Sequence, residues 1–309
     1  MRYIIILIVA VIFISGFLIY QGIYLPVDSN SEEMIVFSVK KGEGAKEIAL
    51  NLKNQGLIRY SSFFRAYVLV CDQADKLKAG EYGLSFSMNI PEIADKLTSK
   101  DRIKRMITII EGWNLKDIEK YLKEQGINME ENLTPDLEGY LSPDTYEISP
   151  GDGINEIIKI MLDNFEKKIT PELKEEIQSQ EKTISQIIIL ASLIEKEVRT
   201  TEDKKIVSGI LWKRIKVDMP LQVDATITYL TGKKSTEILK EELEINSPYN
   251  TYKYKGLPPG PICNPGLNSI LAAIYPQESE YWFYLSTPAG ETIFSKTLKE
   301  HNEAKTKYL

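Results

Sequence analysis

A chain of 309 residues has room for about two domains. With 43% hydrophobic and 27% charged residues it should fold throughout, and a net charge of −6 without a basic run argues against a nucleic-acid partner. One histidine, His301, and two cysteines, Cys71 and Cys263, exclude a His-rich metal site and any Ser-His or Cys-His couple not built on His301. Residues 3–20, YIIILIVAVIFISGFLIY, carry no charge, and as a helix they extend roughly 27 Å, close to the hydrocarbon thickness of a bilayer. The alternative is a cleaved signal peptide, but the run exceeds a usual h-region and no small-x-small site follows it. Arg2 on one flank and Asp28, Glu32 and Glu33 on the other place the N-terminus in the cytoplasm. The expectation is a single-pass cell-membrane protein, with an anchor over 1–22, a tether over 23–33 and the remaining chain outside the cytoplasm.

The first folded element is a strand over 35–39, followed by the turn KKGEG and a helix over 45–55, where Ile48, Ala49 and Leu52 recur at helical spacing. Ser61 and Ser62 can cap a second helix carrying Phe63, Phe64, Tyr67 and Val68. A strand over 78–84 and a short helix over 90–97 complete a small α+β module over 34–100. Its segment VKKGEGAKEIALNLKNQGLI resembles the strand-turn-helix of LysM-like modules, which bind chitin or peptidoglycan glycans; a glycine turn before an amphipathic helix is equally common as plain structure. A second β-turn-α unit begins with a strand over 102–110 and continues in a helix with Leu115, Ile118 and Leu122 on one face. Duplication and coincidence both account for it.

The remainder, 101–309, holds the segments with chemistry. LEGYLSPDTYEI, residues 137–148, gathers Glu138, Tyr140, Asp144 and Tyr146, a set suited to sugar faces and hydroxyls, although a packed turn with solvated acids explains it as well. In TISQIIILASLIEKEVR, residues 183–199, Glu195 shares a helical face with Ser192, Ala191 and Ile188, whereas Glu197 projects from nearly the opposite side with Leu190 and Ile194. A carboxyl withdrawn from water is disfavoured as an anion, as a general acid requires, but an ion pair between Glu195 and Arg199 also fits the spacing. MPLQVDATITY, residues 219–229, presents Gln222, Asp224, Thr226 and Thr228 in alternation on an extended or turn segment able to line a polar groove. SPYNTYKYKGLPPGPICNP, residues 247–265, sets Tyr249, Asn250, Thr251, Tyr252 and Tyr254 ahead of a stiff proline-rich loop.

Together with the terminal YWFYLSTPAGETIFSKTLKEHN, these motifs resemble in order and spacing the YceG-like family of endolytic murein transglycosylases. The resemblance covers essentially the whole chain. It implies an anchored enzyme with a LysM-like module and a larger α+β catalytic domain, which cuts peptidoglycan glycan strands internally near the sites of their synthesis. Cell-wall synthesis proteins are left open as further partners. On this resemblance the catalytic glutamate falls on the first acid of the EKE triplet, Glu195, and Gln222, Asp224, Tyr249, Asn250 and Thr251 line the cleft. Glu138, Tyr140, Ser192, Thr226 and Tyr252 complete the expected substrate-binding set. The departure from the family pattern, over 200–205, touches no proposed catalytic position. Protonated Glu195 would donate to the β-1,4 oxygen between N-acetylmuramic acid and N-acetylglucosamine. As carboxylate it would then take the proton of the muramoyl O6 hydroxyl, which closes on C1. Neither metal nor organic cofactor is needed. Asp224, Tyr252 and Glu138, in that order, are candidates to support the positive charge of the transition state. A muramidase would add a second acid at a defined separation, and a non-enzymatic peptidoglycan-binding scaffold would use none of them.

Overall fold

The computed structural model describes residues 2–99, 103–129, 132–149 and 152–308. The expected module end at Lys100 and strand start at Arg102 lie outside the described residues. Helices and strands alternate irregularly, and the described strands form three two-stranded sheets, in keeping with the mixed helix and sheet expected. The chain divides into two compact units, Met1–Met106 with Glu147–Asp152, and Ile107–Tyr146 with Gly153–Leu309.

In the first unit α1 spans Arg2–Tyr24 and is long and apolar enough to cross a membrane. It runs past residue 22 because nothing interrupts the backbone ladder before Pro26, and the Leu25 amide still donates to the Gln21 carbonyl at 3.2 Å. Gly22 admits the Phe63 ring so closely that a Cβ there would meet it at 2.2 Å. Strand β1 (Met34–Val39) pairs antiparallel with β2 (Gly80–Ser85), Met34 facing Ser85 and Val39 facing Gly80. Between them lie α2 (Ala45–Asn54) and α3 (Ser61–Val70), with α4 (Ile90–Thr98) following. Phe37, Ile48, Leu52, Phe64, Tyr82 and Ile93 close the core from alternate strand positions and from helix positions three or four apart. Asn89 caps α4, accepting from the Glu92 amide at 3.0 Å while Glu92 accepts from the Asn89 amide at 2.9 Å. The expected serine cap of α3 does not form: Tyr60 stands at that position, and both serines lie within the first turn.

Strands β3 (Arg105–Thr108) and β4 (Thr145–Ile148) form the second sheet, and α5 (Leu115–Glu124) lies between them in sequence. The second unit continues with α6 (Ile154–Lys168), α7 (Pro171–Ser179), α8 (Ile184–Glu197), α9 (Thr201–Lys216) and α10 (Asp224–Thr231). It ends with α11 (Leu267–Ile274), the antiparallel strands β5 (Phe283–Ser286) and β6 (Thr292–Ser295), and α12 (Leu298–Tyr308). Helix α8 is the hub. Residues 187–194 are buried without a break, so it has no solvent stripe, and α9 and α11 pack along it. Ile187, Leu190, Ala191 and Ile194 meet Val207 and Leu211 of α9 and Ile270 and Ile274 of α11 in one core. Thr183 starts α8 by accepting from the Gln186 amide at 3.1 Å. Tertiary structure overrules the alternating reading of 219–229. Gln222 adopts a left-handed φ of 53°, and the chain then coils into α10, which puts Asp224 and Thr228 one turn apart on one face and turns Thr226 into the core.

Candidate active site

Glu195 and Glu197 leave α8 two residues apart, so about 200° of helix rotation separates them. Glu195 points inward. Its carboxylate meets the Lys204 ammonium at 3.2 Å, the Ser269 hydroxyl at 2.6 Å and the Gly266 amide at 3.0 Å. Both charged side chains are almost wholly buried, at 9% exposure for Glu195 and 6% for Lys204. The ion-pair partner is Lys204 of α9, not Arg199 as the alternative reading of the spacing had it. The bonds tie α8 to α9 and to the start of α11, with the acceptor capacity of the carboxylate largely occupied.

Glu197 is the last residue of α8 before Val198 turns extended, and the Ser286 hydroxyl holds its carbonyl at 2.9 Å. Its carboxyl lines a cavity of about 710 Å³ walled by the end of α8, the start of α10, β5 and α12. Tyr284 on β5 and the Ala225 amide at the start of α10 donate to it. Burial first, then the negative charge of Asp224, push the Glu197 carboxyl up to about 7, against the smaller opposing effects of these donors and of Arg214. An acid so placed is half-protonated near neutrality and can both give and take a proton. Asp224 accepts from the Tyr252 hydroxyl in a short hydrogen bond, and burial together with that bond pushes Tyr252 above its ordinary value. Arg214 comes from α9, where it continues the buried stripe of Val207 and Leu211. Its guanidinium donates to the Leu221 carbonyl at 2.7 Å and to the Trp282 carbonyl at 2.6 Å.

Of the expected site residues, Gln222, Asp224 and Tyr252 line this cavity; the others do not. The Ser192 hydroxyl is fully buried, donating to the Ile189 carbonyl at 2.7 Å and accepting from the Ile262 amide at 3.1 Å. Thr226 and Thr251 share a buried hydroxyl contact of 3.1 Å, and Thr251 also accepts from the Val223 amide at 2.9 Å. The Asn250 amide donates to the Leu243 and Ile245 carbonyls at 2.8 and 2.9 Å, folding its own loop. Thr226 and Thr251 hold the backbone that carries Gln222 and Asp224. Tyr249 meets Tyr229 at a tilt with ring centres 5.2 Å apart, and Tyr140 meets Phe165 edge-on at 5.2 Å.

Glu138 sits in a separate buried cluster, accepting from the Leu115 amide and from the Asn264 side chain, each at 3.3 Å. Burial pushes it up to about 7. Its neighbour Gly139 has φ 88°, and a Cβ there would strike the Pro261 ring at 2.5 Å. Asp144 and Tyr146 both bond Asn164 at 3.0 Å, which packs their turn, whereas Glu138 of the same segment is buried rather than solvated. Sequence reasoning passed over Glu197, Arg214 and Tyr284 as cavity residues. An arginine in an apolar helical stripe and a carboxylate at a helix end were the available signals. Among the described residues no three His, Cys, Asp or Glu groups converge as a metal site.

An α+β unit with a titratable carboxyl beside a second carboxylate in an open cavity has the makings of an acid/base enzyme of the glycan-cleaving kind. The chain belongs to the YceG-like family, which it matches over residues 37–307. It is 34% identical to the endolytic murein transglycosylase of Bacillus subtilis strain 168, across 96% of this chain and 90% of that one. The corresponding protein of Streptococcus pneumoniae D39 is 29% identical over 93% of this chain, which spans 61% of its length. A YceG-like protein of Listeria monocytogenes, known from a 2.6 Å crystal structure, superposes with a TM-score of 0.58 at 30% identity, covering 89% of this chain and all of that one.

Proposed function

We propose that this chain is an endolytic murein transglycosylase that cleaves the bond between N-acetylmuramic acid and N-acetylglucosamine and leaves 1,6-anhydromuramoyl ends, with Glu197 as its acid/base. The observation that carries the reading is the Glu197 carboxyl, pushed up to about 7 in the 710 Å³ cavity, in a chain so similar to the Bacillus enzyme. Protonated Glu197 donates to the glycosidic oxygen, and the resulting carboxylate takes the O6 proton as that oxygen closes on C1. Asp224, held by Tyr252, supplies negative charge for the oxocarbenium-like state. Glu195 was the acid implied by the family resemblance. Its enclosure by Lys204, Ser269 and Gly266 supports a structural role instead, and moves the proposed acid two residues along α8.

Helix α1 anchors the protein in the cell membrane with its N-terminus in the cytoplasm, a reading supported by its length and by the charges flanking it. Residues 34–100 form a LysM-like glycan-binding module, supported by β1, the turn at Gly42 and α2, and the catalytic domain is 101–309. The two carboxylates in one cavity also permit a muramidase, which would release reducing muramoyl ends. The test incubates full-length protein in detergent, and its Glu197→Gln variant, with purified glycan strands and identifies products by mass spectrometry. Anhydromuramoyl ends that vanish in the variant are expected. Reducing ends would establish the hydrolase, and cleavage unaffected by the variant would remove Glu197 from the mechanism.

A further inference from the structure

The cavity is cationic in a chain that is not. Five basic side chains, Lys196, Arg214, Lys233, Lys234 and Lys305, line it against two acidic ones, Glu197 and Asp224, although the whole chain carries −6. Two of the five are occupied. Arg214 spends its guanidinium on the Leu221 and Trp282 carbonyls, and Lys233 pairs with Glu242 at 2.6 Å. Lys196, Lys234 and Lys305 are exposed and have no ion-pair partner among the described residues. His301 adds no charge, since burial and nearby cations push it below its ordinary value. Two exposed lysines thus reach the cavity from the loop after α10 and from α12, while the Lys196 ammonium lies by Gly112, on the side of Glu138.

The proposed substrate supplies one. Each muramoyl residue carries a lactyl ether whose carboxyl is either free or joined to a peptide that itself ends in a carboxylate. Such a strand is repelled by a net negative protein, so productive approach calls for a local field of the opposite sign. We infer that Lys234 and Lys305 form an anion subsite that binds the carboxylate borne by the muramoyl substituent, and so selects acidic strands over neutralised ones. This inference rests on the glycan-cleaving reading above.

The test compares peptide-bearing strands, peptide-free strands with free lactyl carboxylates, and strands whose carboxylates have been converted to amides. Full-length protein in detergent is measured beside Lys234→Gln, Lys305→Gln and the pair. Each single variant raises KM for acidic strands about two- to fivefold, the worth of one partly exposed ion pair. Added salt shrinks that difference. On amidated strands the ratio of variant to wild type collapses towards one, and Lys234→Arg restores binding of acidic strands. Peptide-bearing and peptide-free strands separate the two sources of carboxylate, each of which fits the subsite. Equal KM for acidic and amidated strands, or equal weakening of both by the lysine variants, would overturn the inference. So would an effect confined to strands ending in a lipid diphosphate. Binding of the same three strands to Glu197→Gln, followed by calorimetry, keeps the two claims apart. Absent cleavage by wild type sinks the enzyme reading, whereas the anion subsite fails only if acids and amides bind Glu197→Gln alike.

Discussion

Glu195 and Glu197 share a helix, a charge and nearly a position, yet they meet opposite surroundings. The first is enclosed by an ammonium, a hydroxyl and an amide, all hydrogen-bonded to its carboxyl oxygens. The second faces a cavity in which burial and Asp224 oppose its ionisation. A carboxylate already satisfied has little to give a substrate, while one held back from ionising keeps a proton to donate. On the proposed reading the two regions divide the labour: the bonds of Glu195 tie the end of α8 to α9 and to the start of α11, and Glu197 is the acid/base.

The largest effect that would sharpen this contrast is on turnover. Glu197→Gln should lower strand cleavage by about 10²- to 10⁴-fold, the usual worth of a general acid/base, while its thermal midpoint stays at or above that of wild type. Glu195→Ala should instead destabilise the fold by about 3–5 kcal/mol, because it leaves the Lys204 ammonium buried and unpaired. Urea unfolding measures that loss, and replacing both residues by methionine should recover much of it. Full stability with abolished cleavage in Glu195→Ala, beside an active Glu197→Gln, would reverse the assignment.

A smaller effect concerns pH. Glu197 and Glu138 each stand at about 7 against an ordinary 4.5, so each contributes stability that is complete below about 4.5 and lost as pH rises through 7. Glutamine at either position should therefore gain about 1–2 kcal/mol over wild type between pH 5 and pH 8 in urea titrations, a discounted share of the shift. Cleavage by wild type should decline above about pH 7 as the acid deprotonates. The finest test moves that decline in both directions. Asp224→Asn removes the charge that holds Glu197 up and should shift the alkaline limb of kcat/KM to lower pH. Tyr284→Phe removes a donor to the carboxylate and should shift it to higher pH. Limbs that move together, or not at all, would separate the pH dependence from Glu197.

Much of the architecture was legible from local physics. An uncharged apolar run can satisfy its backbone only as a helix, and Ile48 with Leu52 or Ile118 with Leu122 mark buried helix faces whatever surrounds them. The stretch 183–199 was equally plain as a helix with two acids on opposite sides. Its all-round burial hid which side was the interior, because periodicity separates faces only when one of them is wet. The alternation in 219–229 held only in part: four polar residues spaced by two suit a groove-lining strand, but a left-handed Gln222 and the coil into α10 leave Gln222, Asp224 and Thr228 on the cavity and turn Thr226 into the core.

By itself the sequence determined a chain of mixed helices and strands with one N-terminal helix long and apolar enough to cross a membrane, and it pointed to carboxylates for chemistry, since composition, apolar periodicity and the scarcity of histidine and cysteine are properties of the chain alone. Tertiary structure decided which carboxylate meets a cavity. That depends on Lys204, Gly266 and Ser269 reaching Glu195 from one side while Asp224, Ala225 and Tyr284 reach Glu197 from the other. Those partners lie between 9 and 87 residues away along the chain, at separations that only folding closes.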